Sequence, residues 1–256
     1  MKPFLLLATR PEDAAADDEY LAFQRCGGLS PSELVRVRLE AAPMPALALE
    51  RYSGIIVGGS PFNSSDSPET KSAAQQRVEN ELAALLDRVV EMDFPFLGAC
   101  YGVGTLGTHQ GAVIDRRFGE PIGPAQIFLT GDGVRDPLLA GLPVEFQAFV
   151  GHKEACSQLP GHAVLLASSA GCPVQMFRIK KNVYATQFHP ELDVAGLLTR
   201  IEVYQHAGYF PADQVDQVRA AARAATVDRP AAVVRNFVQR YARSEGYSRT
   251  DDRAVN

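Results

Sequence analysis

The apolar positions of this chain fall into two rhythms. Short solid runs at Pro3 to Ala8, Leu34 to Glu40, Gly54 to Val57 and Phe94 to Ala99 read as buried strands. The polar or helix-periodic stretches between them have the length that crossover connections need, which predicts a parallel sheet. The clearest helix is predicted from Ser67 as its cap, with Pro68 in the first helical position, because Val78, Leu82, Leu85, Leu86 and Val89 then share one face. After Gly111 the runs shorten. Strands are predicted at Ala112 to Asp115, Ile127 to Thr130, Phe146 to Val150, Ala163 to Ala167, Pro173 to Ile179 and Asn182 to Phe188, with turn residues between them, so this half is expected to be mixed or partly antiparallel. Asp193 is the expected cap of a helix through Val194, Leu197, Leu198, Ile201 and Val203. Beyond Pro211 two more helical stretches follow, Asp213 to Ala225 and Ala231 to Arg243, the second with Val234, Phe237, Val238 and Tyr241 on one side.

With 256 residues, 46% of them hydrophobic, the chain can build one α/β domain with a sizeable core. The expected division is a principal domain over 1–210, a helical extension over 211–246 and a polar, disordered tail over 247–256. A net charge of -5 and no cluster of Lys and Arg argue against nucleic acid as a partner. No apolar run approaches membrane-spanning length, and Met1 to Thr9 reads as a first strand rather than a signal peptide. Cys26, Cys100, Cys156 and Cys172 show neither close pairing nor metal-ligand spacing, which points to reduced thiols, a cytoplasmic setting and no metal.

The chemistry concentrates in two places. Gly98-Ala99-Cys100-Tyr101-Gly102 follows the apolar run Phe94-Pro95-Phe96-Leu97, and His189-Pro190-Glu191 closes the run that begins at Asn182. A thiol at a strand-to-helix turn between glycines presents its sulfur outward, because the glycines remove side chains where backbone segments approach closely. The N-terminus of the following helix favours negative charge, which predicts a lowered thiol pKa and a donor for an oxyanion. Pro190 holds His189 extended, so His189 and Glu191 leave the same face and the carboxylate can fix the imidazole. Acyl transfer asks for this set: Cys100 as nucleophile, His189 as acid and base, Glu191 as orienter. A second turn, Gly58-Gly59 within Ile55 to Pro61, ends another buried strand, and the N–H groups of Gly59 and Tyr101 are the expected oxyanion donors. Taken singly, Cys100 would read as a small buried hydrophobe and His189-Pro190-Glu191 as a strand end.

Together the cysteine turn, the Gly58-Gly59 turn and Gln187-Phe188-His189-Pro190-Glu191 resemble class I glutamine amidotransferases, especially the amidotransferase domain of GMP synthase and its stand-alone relatives. The resemblance implies a Rossmann-like, three-layer α/β fold of flavodoxin type with a mixed sheet. It also implies hydrolysis of a γ-glutamyl amide through a thioester, with Cys100, His189 and Glu191 in the triad roles and no cofactor. Phe149 to Glu154 resembles the Ser-His-x-Asp stretch that holds the α-amino and α-carboxylate groups of glutamine, so His152 and Glu154, with Gly58, are the expected substrate-binding residues. The family usually reads Cys-x-Gly-x-Gln, and here that Gln is Gly104. Neither a Ser-Gly-Gly-x-Asp-Ser loop nor a Walker-type loop occurs, and the stretch after His189 is too short for an ATP-binding domain. The substrate is thus expected to be small, glutamine or another γ-glutamyl compound, and any ammonia destined for synthesis must reach a separate synthetase or acceptor subunit. Two alternatives stay open: a γ-glutamyl peptidase or hydrolase acting without a partner, and a catalytically silent binding or thiol-sensing module. His109, His162, His206 and the Lys180-Lys181 turn are expected at the surface.

Overall fold

All five residues of the first strand, β1 (Phe4–Ala8), are buried. Phe4 and Leu6 enter one apolar core, Leu5 and Leu7 another. A strand covered on both faces needs a helical layer on each side, and its unbroken apolar run reflects that position. The structure, a computed structural model, describes residues 1–242. The tail expected at 247–256 and the end of the expected helical extension lie outside the described residues.

The chain continues through α1 (Asp13–Gly27), β2 (Leu34–Arg38), β3 (Ile55–Val57), α2 (Ala73–Glu91), β4 (Phe96–Ala99) and α3 (Tyr101–Gln110). Next come β5 (Val113–Asp115), β6 (Glu120–Leu129), α4 (Gly131–Arg135), β7 (Glu145–His152), β8 (Ala155–Gln158), β9 (Val164–Ser169), β10 (Met176–Ile179) and β11 (Val183–Thr186). Three helices follow, α5 (Val194–Val203), α6 (Val215–Ala224) and α7 (Ala231–Tyr241).

One sheet runs in the order β2-β1-β3-β4-β11-β10-β9-β6-β7, and β5 pairs with β8 apart from it. Neighbours are parallel as far as β11. From β11 onward they are antiparallel. Phe23 of α1 and Phe237 of α7 fill the core on the Phe4 side, while Val78 and Leu82 of α2 and Leu106 of α3 fill the other. This is the three-layer arrangement expected. Helices α5 and α6 close a third, smaller core over Phe149 of β7. The helices past Pro211 are thus packed on the sheet, and the Phe237 ring packs at a tilt against Phe4 with ring centroids 5.8 Å apart.

Some elements differ from expectation. Helix α2 starts later than predicted, capped by Ser72, whose side chain accepts from Gln75 N–H, while Ser67 only turns the chain toward Thr70. Strand β6 begins at Glu120, before the expected Ile127, because Pro121, Gly123 and Pro124 mask the alternation of an irregular strand whose register shifts at that point. Among the described residues no helix is long and apolar enough to cross a membrane.

Candidate active site

Cys100 stands between β4 and α3 with φ 53° and ψ -82°, a backbone state that a non-glycine residue adopts only under constraint. Its N–H donates to Thr186 O at 2.7 Å, so the sheet pairing of β4 with β11 extends to the cysteine itself. The glycines do what the motif suggests. A Cβ on Gly98 would lie 2.6 Å from Gly102 Cα, so the tight entry into α3 is closed to side chains at that point. Tyr101 is the first residue of α3, and its N–H precedes the first intrahelical partner.

Three residues past the end of β11 comes His189, whose N–H donates to Phe149 O of β7 at 2.9 Å. Its Nδ1 lies 2.8 Å from Glu191 Oε1, and both side chains are buried. With a carboxylate as partner, Nδ1 carries the proton and Nε2 is left to accept one. Cys100 and His189 line the same cavity.

Behind this pair lies a charged group that the sequence pattern does not reveal. Arg200 Nη2 is 3.1 Å from Glu191 Oε1 and 3.3 Å from Glu19 Oε1. Glu19 Oε1 also receives Arg10 Nε at 3.0 Å and the Gly59 N–H at 3.0 Å. None of the four charged side chains is more than 4% exposed. Arg200 Nη1 lies 3.3 Å from His189 Nδ1. Since Nδ1 donates to Glu191, that approach is a packing contact and not a hydrogen bond. The arrangement holds the Glu191 carboxylate, and through it the imidazole, from behind.

Two expectations are corrected here. Gly59 N–H is engaged by the Glu19 carboxylate, so it is not a free oxyanion donor. Gly58 lines neither cavity beside Cys100. Its lack of a side chain instead admits the Glu19 carboxylate, which a Cβ would displace, while a Cβ on Gly59 would meet Arg10 and His189 Cε1. The glycine turn was legible, but its reason was not, because Glu19 comes from α1 forty residues upstream.

A second cavity flanks Cys100 on the Tyr101 side, lined by Asn63, Tyr101, Gly104, His152, Glu154 and Gln187 among others. His152 is there, yet both its ring nitrogens face acceptors, Glu154 O at 2.8 Å and Glu120 Oε2 at 2.9 Å. Glu154 accepts from Ser64 N–H at 2.8 Å and Ser65 N–H at 2.7 Å, fixing the loop after β3. Gly104 accommodates that carboxylate: a Cβ there would lie 2.6 Å from Glu154 Oε1 and 2.5 Å from Ser64 Oγ. Gln187, to which the sequence alone assigns no role, directs Nε2 to within 3.9 Å of Cys100 Sγ. Glu120, His152 and Cys172 also cluster, with His152 bonded to Glu120 and the Cys172 thiol donating to Val174 O.

The electrostatics correct a further expectation. Burial pushes the Cys100 thiol up to about 12, against a downward pull from Arg10. The lowering predicted from the helix N-terminus is outweighed by desolvation. Burial also lowers His189 below its ordinary value, opposed by Glu191. Burial by itself would raise the Glu191 carboxyl, but His189 and Arg200 hold it well below the usual carboxylate range. Both directions favour the uncharged forms, a thiol and an imidazole.

The family model for glutamine amidotransferase class-I matches residues 29–195. The chain belongs to the class I glutamine amidotransferase family. Among its relatives is a GMP synthase [glutamine-hydrolyzing] of Aeropyrum pernix, 30% identical over 145 residues that cover 57% of this chain and 25% of that protein. Another is a glutamine-hydrolyzing GMP synthase of Thermoplasma acidophilum that is itself named as one subunit of the enzyme, 30% identical over 115 residues, 44% of this chain and 56% of that one. The chain thus spans about a quarter of the length of the first GMP synthases it matches and about half of the Thermoplasma acidophilum subunit. In fold it is similar to a glutamine amidotransferase from Thermotoga maritima, with TM-score 0.74, 19% identity and coverage of 95% of this chain and 100% of the other. It is similar also to one from Methylobacillus flagellatus, with TM-score 0.71, 18% identity and coverage of 98% and 99%.

Proposed function

We propose that this class I glutamine amidotransferase domain hydrolyses a γ-glutamyl amide through a thioester on Cys100. The observation that carries this reading is the strained Cys100 turn opening onto the same cavity as an imidazole whose other nitrogen is held by a buried carboxylate. Sγ attacks the amide carbon as its proton passes to His189 Nε2; the C–N bond then breaks and His189 returns the proton to the departing nitrogen. Water, deprotonated by His189, adds to the thioester and the thiol is regenerated. Tyr101 N–H, the first of α3, would donate to the oxyanion. The second cavity, with Glu154 and Gln187, would receive the glutamyl part. Four free cysteines fit a reducing, cytoplasmic setting.

If the chain serves synthesis, a separate synthetase would take the ammonia, as the naming of the Thermoplasma acidophilum relative as one subunit of a GMP synthase suggests. The second reading is a hydrolase that needs no partner. It is favoured by Gly104, where the family's Gln is replaced by space that Glu154 and Ser64 already fill. The test is turnover of glutamine and γ-glutamyl peptides by the wild type and Cys100→Ala, with mass spectrometry after a glutamine-analogue diazo-ketone. Turnover only by the wild type, with the label on Cys100, supports the reading; equal turnover by both proteins, or an unlabelled Cys100, overturns it.

A further inference from the structure

Two cavities meet at Cys100, and only one of them includes His189. Because His189 must protonate the departing nitrogen, the cavity it lines is the leaving-group side. That cavity is bounded by Ile122, Leu192, Leu197 and Tyr209.

The cavity's charge is one-sided. Arg10 and Arg200 reach its wall, whereas Glu19 and Glu191 stay behind them and no carboxylate lines it. Arg10 is 4% exposed. Its Nε is taken by Glu19 and its Nη1 by the Tyr204 hydroxyl at 3.1 Å, while Nη2 has no hydrogen-bond partner among the described residues. That nitrogen sits beside Gly59, close to where His189 Cε1 also approaches. A buried guanidinium with a donor nitrogen left over, on a wall without a carboxylate, is matched to a carboxylate.

We propose that this cavity binds an α-amino acid leaving group with an apolar side chain, its carboxylate held by Arg10 Nη2, so that γ-glutamyl amino acids are the substrates. This rests on the reading of Cys100 as the nucleophile in γ-glutamyl amide cleavage. The reaction balances as above: the amino acid's nitrogen leaves with the proton from His189, and water completes the hydrolysis. As it stands the cavity has room for about one water-sized molecule, so the proposal requires Tyr209, on the segment between α5 and α6, to give way to a side chain.

The test compares γ-glutamyl-leucine with γ-glutamyl-isoamylamide, which has the same apolar body and no carboxylate. In the wild type, kcat/KM is expected to favour the dipeptide by about 10- to 100-fold, the range for one charge-assisted hydrogen bond. γ-Glutamyl-putrescine, with a cationic leaving group, should be poorer than either. Arg10→Gln should bring the dipeptide-to-amide ratio close to one; both rates fall in this variant because Glu19 loses a partner, and the ratio within each protein cancels that shared loss. Should that variant not fold, wild-type inhibition by free L-leucine but not by isoamylamine supports the proposal, and equal inhibition overturns it. A wild-type ratio near one, or a ratio retained in Arg10→Gln, overturns the leaving-group site while glutamine turnover leaves the reading of Cys100 intact. No turnover of any γ-glutamyl compound removes that reading, and the proposal with it.

Discussion

Replacing Arg200 by Met removes the one full positive charge in direct contact with Glu191 among the described residues while keeping a side chain that fills much of the same space. At an effective dielectric of about 20, unit charges 3.1 Å apart attract by about 5 kcal/mol. Removing the guanidinium also abolishes its own desolvation cost, several kcal/mol of opposite sign, so the pair itself is close to neutral. What does not cancel is the charge left behind. Glu191 keeps the His189 imidazole, and Glu19 keeps Arg10 and the Gly59 N–H. Stranding a buried charge in this way costs about 3–5 kcal/mol, and that is the expected loss in urea unfolding of Arg200→Met.

A purely structural role would stop there, so the pH profile is the sharper assay. Arg200 lowers the affinity of His189 for a proton. Without it, His189 holds a proton to higher pH, and the acid limb of kcat/KM should move to higher pH in Arg200→Met. Arg200→Lys, which keeps the charge but not the fork that reaches both carboxylates, should restore most of the limb's position and only part of the stability. Wild-type stability together with an unmoved acid limb in Arg200→Met would refute the argument that this arginine supports the His189–Glu191 pair.

The wild-type rate on a γ-glutamyl substrate should fall only below the ordinary imidazole value of 6.5, because burial lowers His189, and should show no limb from the thiol between pH 7 and 9, because burial raises Cys100 to about 12; a bell centred in that interval would contradict both shifts. Stability should decline with acid in the same sense: His189 and Glu191 are both lowered by folding, so the unfolded chain binds more protons, and the stabilisation present above pH 6.5 is lost as pH falls through it and on through the carboxylate range, measurable as a falling urea midpoint. Phe237→Ala should cost about 3–5 kcal/mol, since the ring is fully buried between Phe4 and Tyr241; a loss below 1 kcal/mol would mean that α7 is not part of the main core. Installing the family residue with Gly104→Gln should destabilise by about 1–3 kcal/mol through overpacking against Glu154 and Ser64, without lowering KM for glutamine; a lower KM would show that the loop after β3 yields to it.

What the sequence made legible was whatever is local. The unbroken run at Phe4–Ala8, the glycines around Cys100 and the two-residue spacing of His189 and Glu191 each state their geometry within a few positions. The Asp193 cap did so too, accepting from Gly196 N–H as a capping side chain should. What stayed hidden depends on contacts between distant elements. Arg10, Glu19 and Arg200 come from the end of β1, from α1 and from α5, and no spacing rule links them. A signal was nonetheless present. Ala15, Ala16, Ala22 and Phe23 form the inward stripe of α1, and Glu19 falls within it; Leu197 and Ile201 are the inward residues of α5, and Arg200 falls between them. A charge in the middle of an apolar stripe must be paired or it would not be buried, so two stripes bearing opposite charges require each other. The same logic accounts for the glycine turn: the close approach that Gly58 and Gly59 allow is to a carboxylate and a guanidinium. The site is therefore built from the back, with an ionic layer of Arg10, Glu19, Arg200 and Glu191 behind the imidazole.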